Sequence, residues 1–301
     1  VMDCIKSAES GIPDEAYDIA PRQEAETFRD GAYEPDMDLF FQRTRELMKD
    51  ITERHPKIIM EQMIVSHDKV HSVYQNTNGT EFESFTGAYS VSLMFSAHEG
   101  ETTTSFFGSG VYTDSLDRPF IELGSLEKDL SDTEAQLTTI PMEGKFEGVI
   151  VLTPGSLGGF LGSAVSNFVS DGVILEKTSI WLDKLEKQVA DSRITISLCP
   201  GDSRIVCGEK YTYDGFRSQD YDLIKDGVLK SFMLSLYVSN KSGFAPAKNS
   251  SFSVIIEGGD TSYEDMIKNI KKGLIVGRFS GGQPGVNGDF SGVAKNSFPI
   301  E

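Results

Sequence analysis

Glycine and small polar residues occur at helical spacing in the stretch 155–172, GSLGGFLGSAVSNFVSDG. Its apolar residues recur every three or four positions, which predicts an amphipathic helix over about 157–170. The opposite face carries Ser163, Ser166 and Asn167, which can form hydrogen bonds but cannot replace a carboxylate base at neutral pH.

Glycine within this helix requires an explanation. A glycine inside a helix costs about 1 kcal/mol relative to alanine. Gly158, Gly159 and Gly162 could admit another element at close range, or they could leave room for a ligand. From the sequence, close packing is the favoured interpretation.

The histidines and cysteines do not have the spacing of a known chemical site. No pair among His55, His67, His71 and His98 fits a His-Glu-x-x-His zinc helix. The cysteines, which are Cys4, Cys199 and Cys207, are too few for a disulfide framework. They suit a reducing compartment, so we expect cytoplasmic localisation. A glycine-rich stretch at 280–292, SGGQPGVNGDFSG, lacks the lysine of a phosphate loop and predicts a hairpin.

The acidic charge lies in the first half of the chain. The net charge is −18; residues 1–150 contain 29 acidic and 12 basic residues, and residues 151–301 contain 17 and 16. Such a negative field repels phosphate backbones, so we expect no direct binding of nucleic acid. No apolar run approaches the roughly 20 residues of a membrane helix, so no membrane partner is expected. The acidity predicts solubility or a basic partner.

The elements of the first half follow from local signals. Residues 1–35 are polar and predict an extended acidic arm, and the opening at Val1 predicts a chain that is truncated at its start. A helix follows, capped by Asp36 or Asp38 and ended by His55-Pro56. Residues 57–113 are rich in β-branched and aromatic residues, with turns at 76–79 and 98–101, which predict antiparallel strands.

The second half alternates short strand and helix signals. Its clearest predicted helix lies at 261–273, with Thr261 and Glu264 as a capping box and Gly273 as its stop. We expect an α+β fold with two units. An N-terminal antiparallel sheet-plus-helix unit occupies 1–147. A C-terminal, largely antiparallel sheet or barrel-like domain with a few helices occupies 148–301.

Several motifs in the second half occur in an order that resembles one family. They are TPGSLGGFLGSAVSNF, LIKDGVLKSFML, GLIVGRFSGG and GDFS. Their order is similar to that of the TldD/PmbA family, the modulator of DNA gyrase proteins. In the family's catalytic branch this helix carries His-Glu-x-x-x-His and binds zinc. The corresponding positions here are Gly162, Ser163 and Asn167, and the loop RFSGGQPG lacks the third ligand, a cysteine. The resemblance therefore implies the PmbA/TldE-like branch, without a metal or another cofactor. Because ligands from both segments converge in the catalytic branch, the resemblance predicts that the glycine-rich loop at 280–292 lies beside the helix at 162–167.

This resemblance implies a non-catalytic subunit of a TldD/TldE-type metallopeptidase, inactive alone and involved in peptide maturation or in degradation of unfolded peptides. Its expected partners are a second copy of itself, a zinc-bearing TldD-like subunit and an unfolded peptide held by strand-like pairing. The candidate groove residues are Ser166, Ser280, Gly281, Gly282, Asp289, Phe290 and Ser291. The alternative is an acidic regulatory protein that binds a DNA-handling enzyme such as gyrase. Charge mimicry of that kind would weaken steeply with salt.

Overall fold

The computed structural model describes residues 2–140, 144–282 and 284–300, which form an α+β fold. The helices are α1 (Met2–Glu9), α2 (Met37–Arg54), a 3₁₀ helix (Phe120–Glu122), α3 (Leu126–Ala135), α4 (Pro154–Phe168), α5 (Asp171–Leu175), α6 (Leu236–Ser242) and α7 (Tyr263–Lys268). The strands of the first half are β1 (Glu26–Gly31), β2 (Ile58–Gln75), β3 (Glu81–Glu99), β4 (Thr102–Thr103) and β5 (Phe107–Thr113). Those of the second half are β6 (Val149–Leu152), β7 (Ile196–Leu198), β8 (Tyr221–Lys225), β9 (Val228–Leu229), β10 (Val254–Ile256), β11 (Gly273–Val276), β12 (Arg278–Ser280), β13 (Val293–Lys295) and β14 (Phe298–Ile300). Across the described ranges, no helix combines the length and the apolarity needed to cross a bilayer.

A long antiparallel hairpin organises the first half. β2 and β3 pair from Ile58 opposite Ala97 to Gln75 opposite Glu81, with one bulge near Met60. Asn76 closes the turn, because its side-chain oxygen accepts hydrogen bonds from the backbone of Asn78 and Thr80. The other edge of β3 pairs with β1 and then with β5. The prediction of antiparallel strands in this region is therefore confirmed for the hairpin and for β5.

Helix α2 covers one face of this sheet. Asp36 caps it, accepting a hydrogen bond of 3.0 Å from the backbone of Leu39, as predicted. Phe40, Leu47 and Ile51 are buried against residues of β3, the 3₁₀ helix and α3. This packing forms the first hydrophobic core.

The first 35 residues are more structured than an extended arm, and that prediction is wrong. They contain α1 and β1, and β1 runs parallel to β3. We call residues 14–31 the N-terminal strap, because they contact the second half of the chain. Its acidic side chains meet three bases there: Asp14 contacts Lys241, Glu26 contacts Arg217 and Asp30 contacts Lys210. Part of the acidic charge thus joins the two halves.

The second half contains three small sheets and a second core. The strand orders are β10-β7-β8-β9, β14-β11-β6 and β12-β13, and they form no closed barrel within the described ranges. The second core gathers residues from α4 to α6, among them Phe168, Leu198 and Phe232. Most strand pairs of the second half are antiparallel, but β6 and β11 run parallel to each other.

Helix α7 begins and ends differently from the prediction. Its cap is Ser262, whose hydroxyl accepts a hydrogen bond of 3.1 Å from the backbone of Asp265, so the capping box at Thr261 is wrong. The helix has six residues and ends at Lys268. Gly273 is the first residue of β11 and pairs with Val149 of β6. Strand pairing in the tertiary fold therefore overrides the helical signal in this segment.

Candidate functional site

Helix α4 is held firmly at both ends. Thr153 caps its start, where Pro154 occupies the first turn, and the Thr153 hydroxyl donates a hydrogen bond of 3.2 Å to the carbonyl of Gly277. At its other end Phe168 is buried, and its carbonyl accepts a hydrogen bond of 2.6 Å from Ser179. Since β6 leads into α4 and pairs with β11, the sheet fixes α4 beside the start of the glycine-rich loop.

The glycine-rich loop lies against α4, as the resemblance predicts. The side-chain amide of Asn167 donates a hydrogen bond to the carbonyl of Pro284. The ring of Phe290 contacts Phe160 of α4 and Phe279 of β12, at centroid distances of 5.8 and 4.8 Å. Gln283, which belongs to the same loop, lies outside the described residues.

One glycine of the loop allows its two ends to meet. Gly282 has φ of +71°, and a Cβ at this position would overlap the carbonyl oxygen of Ser291. Only glycine satisfies both conditions, because other residues rarely adopt this backbone conformation and all of them carry a Cβ. Gly281 also has a positive φ, but a Cβ there would meet open space.

A cavity of about 330 Å³ lies between α4, β12 and the start of β5. This volume is at the lower end of the range for small-molecule sites, roughly 300–1,000 Å³. Its aromatic lining residues are Phe107, Phe160, Phe279 and Phe290. Its polar side chains are those of Ser156, Ser163 and Arg278. The cavity therefore combines apolar walls with a few polar groups, as binding sites commonly do.

Among the described residues, Arg278 is the only charged one that lines the cavity. Its Nε donates a hydrogen bond of 2.8 Å to the side-chain oxygen of Asn296. Its Nη2 donates bonds of 3.2 Å to the hydroxyl of Ser105 and to the carbonyl of Phe106. Among the described residues, no carboxylate forms an ion pair with it. Neutral acceptors thus fix the guanidinium without cancelling its charge.

The glycines of α4 do not serve close packing, so the favoured sequence interpretation is wrong. A Cβ built at Gly155, Gly158, Gly159 or Gly162 would meet nothing within 4 Å. Gly155 and Gly159 line the cavity. Their missing side chains leave open space on this face of α4 rather than room for another element of the same chain.

The three positions that the resemblance aligns with the His-Glu-x-x-x-His motif carry no ligand group that is free to converge. Gly162 has no side chain, and the hydroxyl of Ser163 donates a hydrogen bond of 3.1 Å to the carbonyl of Gly159. Asn167 is engaged with the loop. In the described part of the chain, no three His, Cys, Asp or Glu side chains lie close enough to hold a metal ion. The role of these three positions stays a prediction.

The candidate groove residues divide into two groups. Gly282 and Phe290 line the cavity, together with Ser163 of α4. The others lie around the cavity rather than on its wall; they are Ser166, Ser280, Gly281, Asp289 and Ser291. Asp289 is engaged within the loop, where its carboxylate accepts a hydrogen bond of 2.7 Å from Asn287. Their part in peptide binding stays a prediction.

Sequence reasoning missed several residues that line the cavity, among them Phe107, Ser156 and Arg278. Phe107 comes from the first half, and no local pattern predicts that β5 reaches α4. Ser156 lies in the first turn of α4 and is 8% exposed, and its buried hydroxyl has no hydrogen-bond partner among the residues described. Arg278 did give a signal, because it is the only charged residue between Lys272 and Asp289.

Comparison with known proteins assigns the family. The model of the PmbA/TldA metallopeptidase C-terminal domain matches residues 146–301, just over half of the chain. The chain belongs to the PmbA/TldD family.

Individual relatives agree with this assignment. The metalloprotease PmbA of Escherichia coli O157:H7 is 29% identical over 126 residues, which cover 41% of this chain and 28% of that protein. A zinc metalloprotease TldD homolog of Saccharolobus solfataricus is 23% identical over 269 residues, 82% of this chain and 58% of that protein. The crystal structure of TldE from Thermococcus kodakarensis has the same fold, with a TM-score of 0.83, 19% identity and coverage of 98% of this chain and 70% of that one. The matched stretches span only 28% to 58% of the first three curated relatives.

Proposed function

We propose that this chain is the metal-free subunit of a TldD/TldE-type peptidase, and that it binds unfolded peptide for a zinc-bearing TldD-like partner to cleave. One observation carries the proposal. Helix α4, which the resemblance aligns with the zinc helix of the catalytic branch and which has Gly162, Ser163 and Asn167 at the positions of the His-Glu-x-x-x-His motif, borders an open cavity. A role in peptide binding explains why α4 borders an open cavity although it lacks the histidine and glutamate side chains of the catalytic branch.

The chemistry supports a division of labour between two subunits. Peptide hydrolysis near neutral pH needs an activated water or nucleophile, and a bound zinc lowers the pKa of its water to roughly 7. No cluster suited to such a metal occurs across residues 2–140, 144–282 and 284–300. We therefore propose that this chain does not cleave peptides alone and acts in peptide maturation or in degradation of unfolded peptides.

The sheet next to the cavity offers a means of holding an extended peptide. β12 and β13 pair only with each other in the described ranges, so each strand has a free edge. An extended peptide can add to such an edge through main-chain hydrogen bonds. Arg278 and Phe279 of β12 also line the cavity, so a peptide added there would bring side chains to it.

We also propose the assembly and location of the protein. It would form a homodimer alone and a heterodimer with the TldD-like partner, in the cytoplasm.

A cleavage assay tests the proposal. A disordered peptide is incubated with this chain alone, with a TldD-like partner carrying His-Glu-x-x-x-His, and with both. We expect cleavage by the pair to exceed that by the partner alone, and no cleavage by this chain alone. Elemental analysis of untagged protein should show no stoichiometric zinc in this chain. Equal cleavage with and without this chain would instead favour a regulatory binding protein.

A matched pair of variants links the effect to the cavity. Gly159→Leu places a side chain in the cavity, whereas Gly158→Leu places the same side chain on a part of α4 that does not line it. We expect only Gly159→Leu to abolish the stimulation of the partner. Equal effects of both variants would contradict a role for the cavity.

A further inference from the structure

We infer that this cavity recognises the C-terminal carboxylate of a peptide whose last side chain is large and apolar, with Arg278 as the residue that binds the carboxylate. The inference rests on the proposed function, because it specifies the peptide class that the same site accepts. Three separate features of the cavity support it: a cation without a carboxylate partner, the start of helix α4 and an aromatic wall.

The first feature is a cation inside the cavity that no carboxylate of the described residues neutralises. The chain carries a net charge of −18, yet Arg278 has no carboxylate partner among the described residues. A guanidinium has five N–H donors, and the observed bonds use its Nε and Nη2 atoms. No acceptor for Nη1 occurs in the described part of the chain, so donors remain for a ligand. A carboxylate oxygen can accept charge-assisted hydrogen bonds from these remaining donors.

The surroundings hold Arg278 ready for such a ligand. Its guanidinium stacks on the ring of Phe106 at 4.8 Å, and its bonds to Asn296 and Ser105 fix its direction. A residue that is positioned before the ligand arrives loses little side-chain freedom on binding. The arginine is therefore organised for recognition and is not merely a surface charge.

Helix α4 begins on the same cavity wall. Ser156 lies in the first turn of this fifteen-residue helix and lines the cavity. The first turn of a helix carries the positive end of the helix dipole, which favours a negative group.

The aromatic wall decides which carboxylate fits. Phe107, Phe160, Phe279 and Phe290 offer apolar surface to the ligand, which a small free anion would leave uncovered. A carboxylate joined directly to a large apolar residue occupies both parts of the cavity. In a peptide, only the C-terminal residue joins an α-carboxylate and an apolar side chain at one carbon atom.

Peptide binding to the purified chain alone tests the inference, without the TldD-like partner. The probe is an N-terminally fluorescein-labelled heptapeptide, Gly-Ser-Gly-Ser-Ala-Leu-Phe, and its dissociation constant is measured by fluorescence anisotropy. Two further probes share its label: the C-terminal amide of the same peptide, and an amide that carries an internal glutamate. Losing one charge-assisted hydrogen bond should weaken binding roughly 10- to 100-fold. We therefore expect the free acid to bind at least tenfold more tightly than either amide.

Variants assign the effect to Arg278. Arg278→Gln should bring the free acid to the affinity of the amide and leave the amide unchanged, and Arg278→Lys should recover part of the difference. Arg193→Gln is the control, because Arg193 is an exposed arginine that does not line the cavity. The comparison of free acid and amide on the unaltered chain requires no variant, so it remains decisive if Arg278→Gln folds poorly.

The outcomes separate this inference from the proposed function. Equal affinity for the free acid and the amide, no binding of any probe, or no effect of Arg278→Gln on a well-folded chain would overturn the inference. Preference for the internal glutamate would also overturn it, because the carboxylate would then belong to a side chain. Binding that depends on the free carboxylate, without stimulation of a partner, would keep the inference and refute the proposed function.

Discussion

Replacing the glycines of α4 by alanine should stabilise this protein. The change is Gly158→Ala, Gly159→Ala and Gly162→Ala in one chain. Each residue has a helical backbone, and a Cβ at each would meet nothing within 4 Å. The added methyl groups therefore fit without strain, and the usual penalty of glycine in a helix is removed.

The magnitude follows from the number of residues changed. A compatible change from glycine to alanine contributes about 0.5–1 kcal/mol, mainly by reducing the freedom of the unfolded chain. Three such changes give about 1.5–3 kcal/mol if they act independently. At roughly 2 cal/mol/K per residue, the unfolding entropy of a chain of this length is about 0.6 kcal/mol/K. The melting temperature should then rise by about 2–5 °C.

Thermal unfolding followed by circular dichroism measures this shift, and the three single variants show whether the contributions add. A loss of more than about 1 kcal/mol in any single variant would refute the reasoning, because it would show that an element of the chain packs against that glycine.

Three further predictions concern the loop, a buried acid and a thiol. In denaturant titrations, Gly282→Ala should lower the free energy of unfolding by several kcal/mol, and Gly281→Ala should lower it by only about 1 kcal/mol. The reason is that a Cβ at Gly282 would overlap the carbonyl oxygen of Ser291, whereas a Cβ at Gly281 would meet open space. Equal losses in the two variants would contradict this. Burial raises the pKa of Asp129, because the folded protein favours the protonated carboxyl group. The protonated Asp129 therefore stabilises the fold fully below about pH 4, and this stabilisation is lost as the pH rises through the folded-state pKa. Asp129→Asn should therefore unfold at higher denaturant concentration than the unaltered chain at pH 7 but not at pH 3, and a lower midpoint at pH 7 would refute the assignment. Burial also raises the pKa of Cys207, so alkylation at pH 7, followed by mass spectrometry, should modify the exposed Cys4 first; earlier modification of Cys207 would contradict this.

Short sequence patterns correctly predicted the elements that contacts between neighbouring residues stabilise. Asp36 caps α2 as predicted, and the turn at 76–79 sets the antiparallel hairpin. β1 was missed, because its residues, ETFRDG, show no strand pattern and obtain their backbone partners from β3. Gly273 looked like a helix stop, but pairing with Val149 makes it the start of a strand. These differences arise from contacts between distant segments.

The site was partly predictable for the same reason. The resemblance placed the glycine-rich loop beside α4, and the bond from Asn167 to Pro284 bears out that proximity. Phe107 reaches the cavity from another part of the chain, so no local pattern could include it. The orphan hydroxyl of Ser156 depends on how its neighbours are arranged, which composition and spacing do not specify.

The N-terminal strap makes the order of synthesis relevant to folding. Asp30 and Asp14 contact Lys210 and Tyr237, which lie 180 and 223 residues further along the chain. At about 5–20 residues per second, the ribosome needs roughly 10 to 45 s to make those partners. Asp14 must remain without its final contacts throughout that time, in a segment that is acidic and polar. The acidic side chains of the N-terminal strap, which form ion pairs with the second half after synthesis, therefore also keep the strap hydrated before those partners are made.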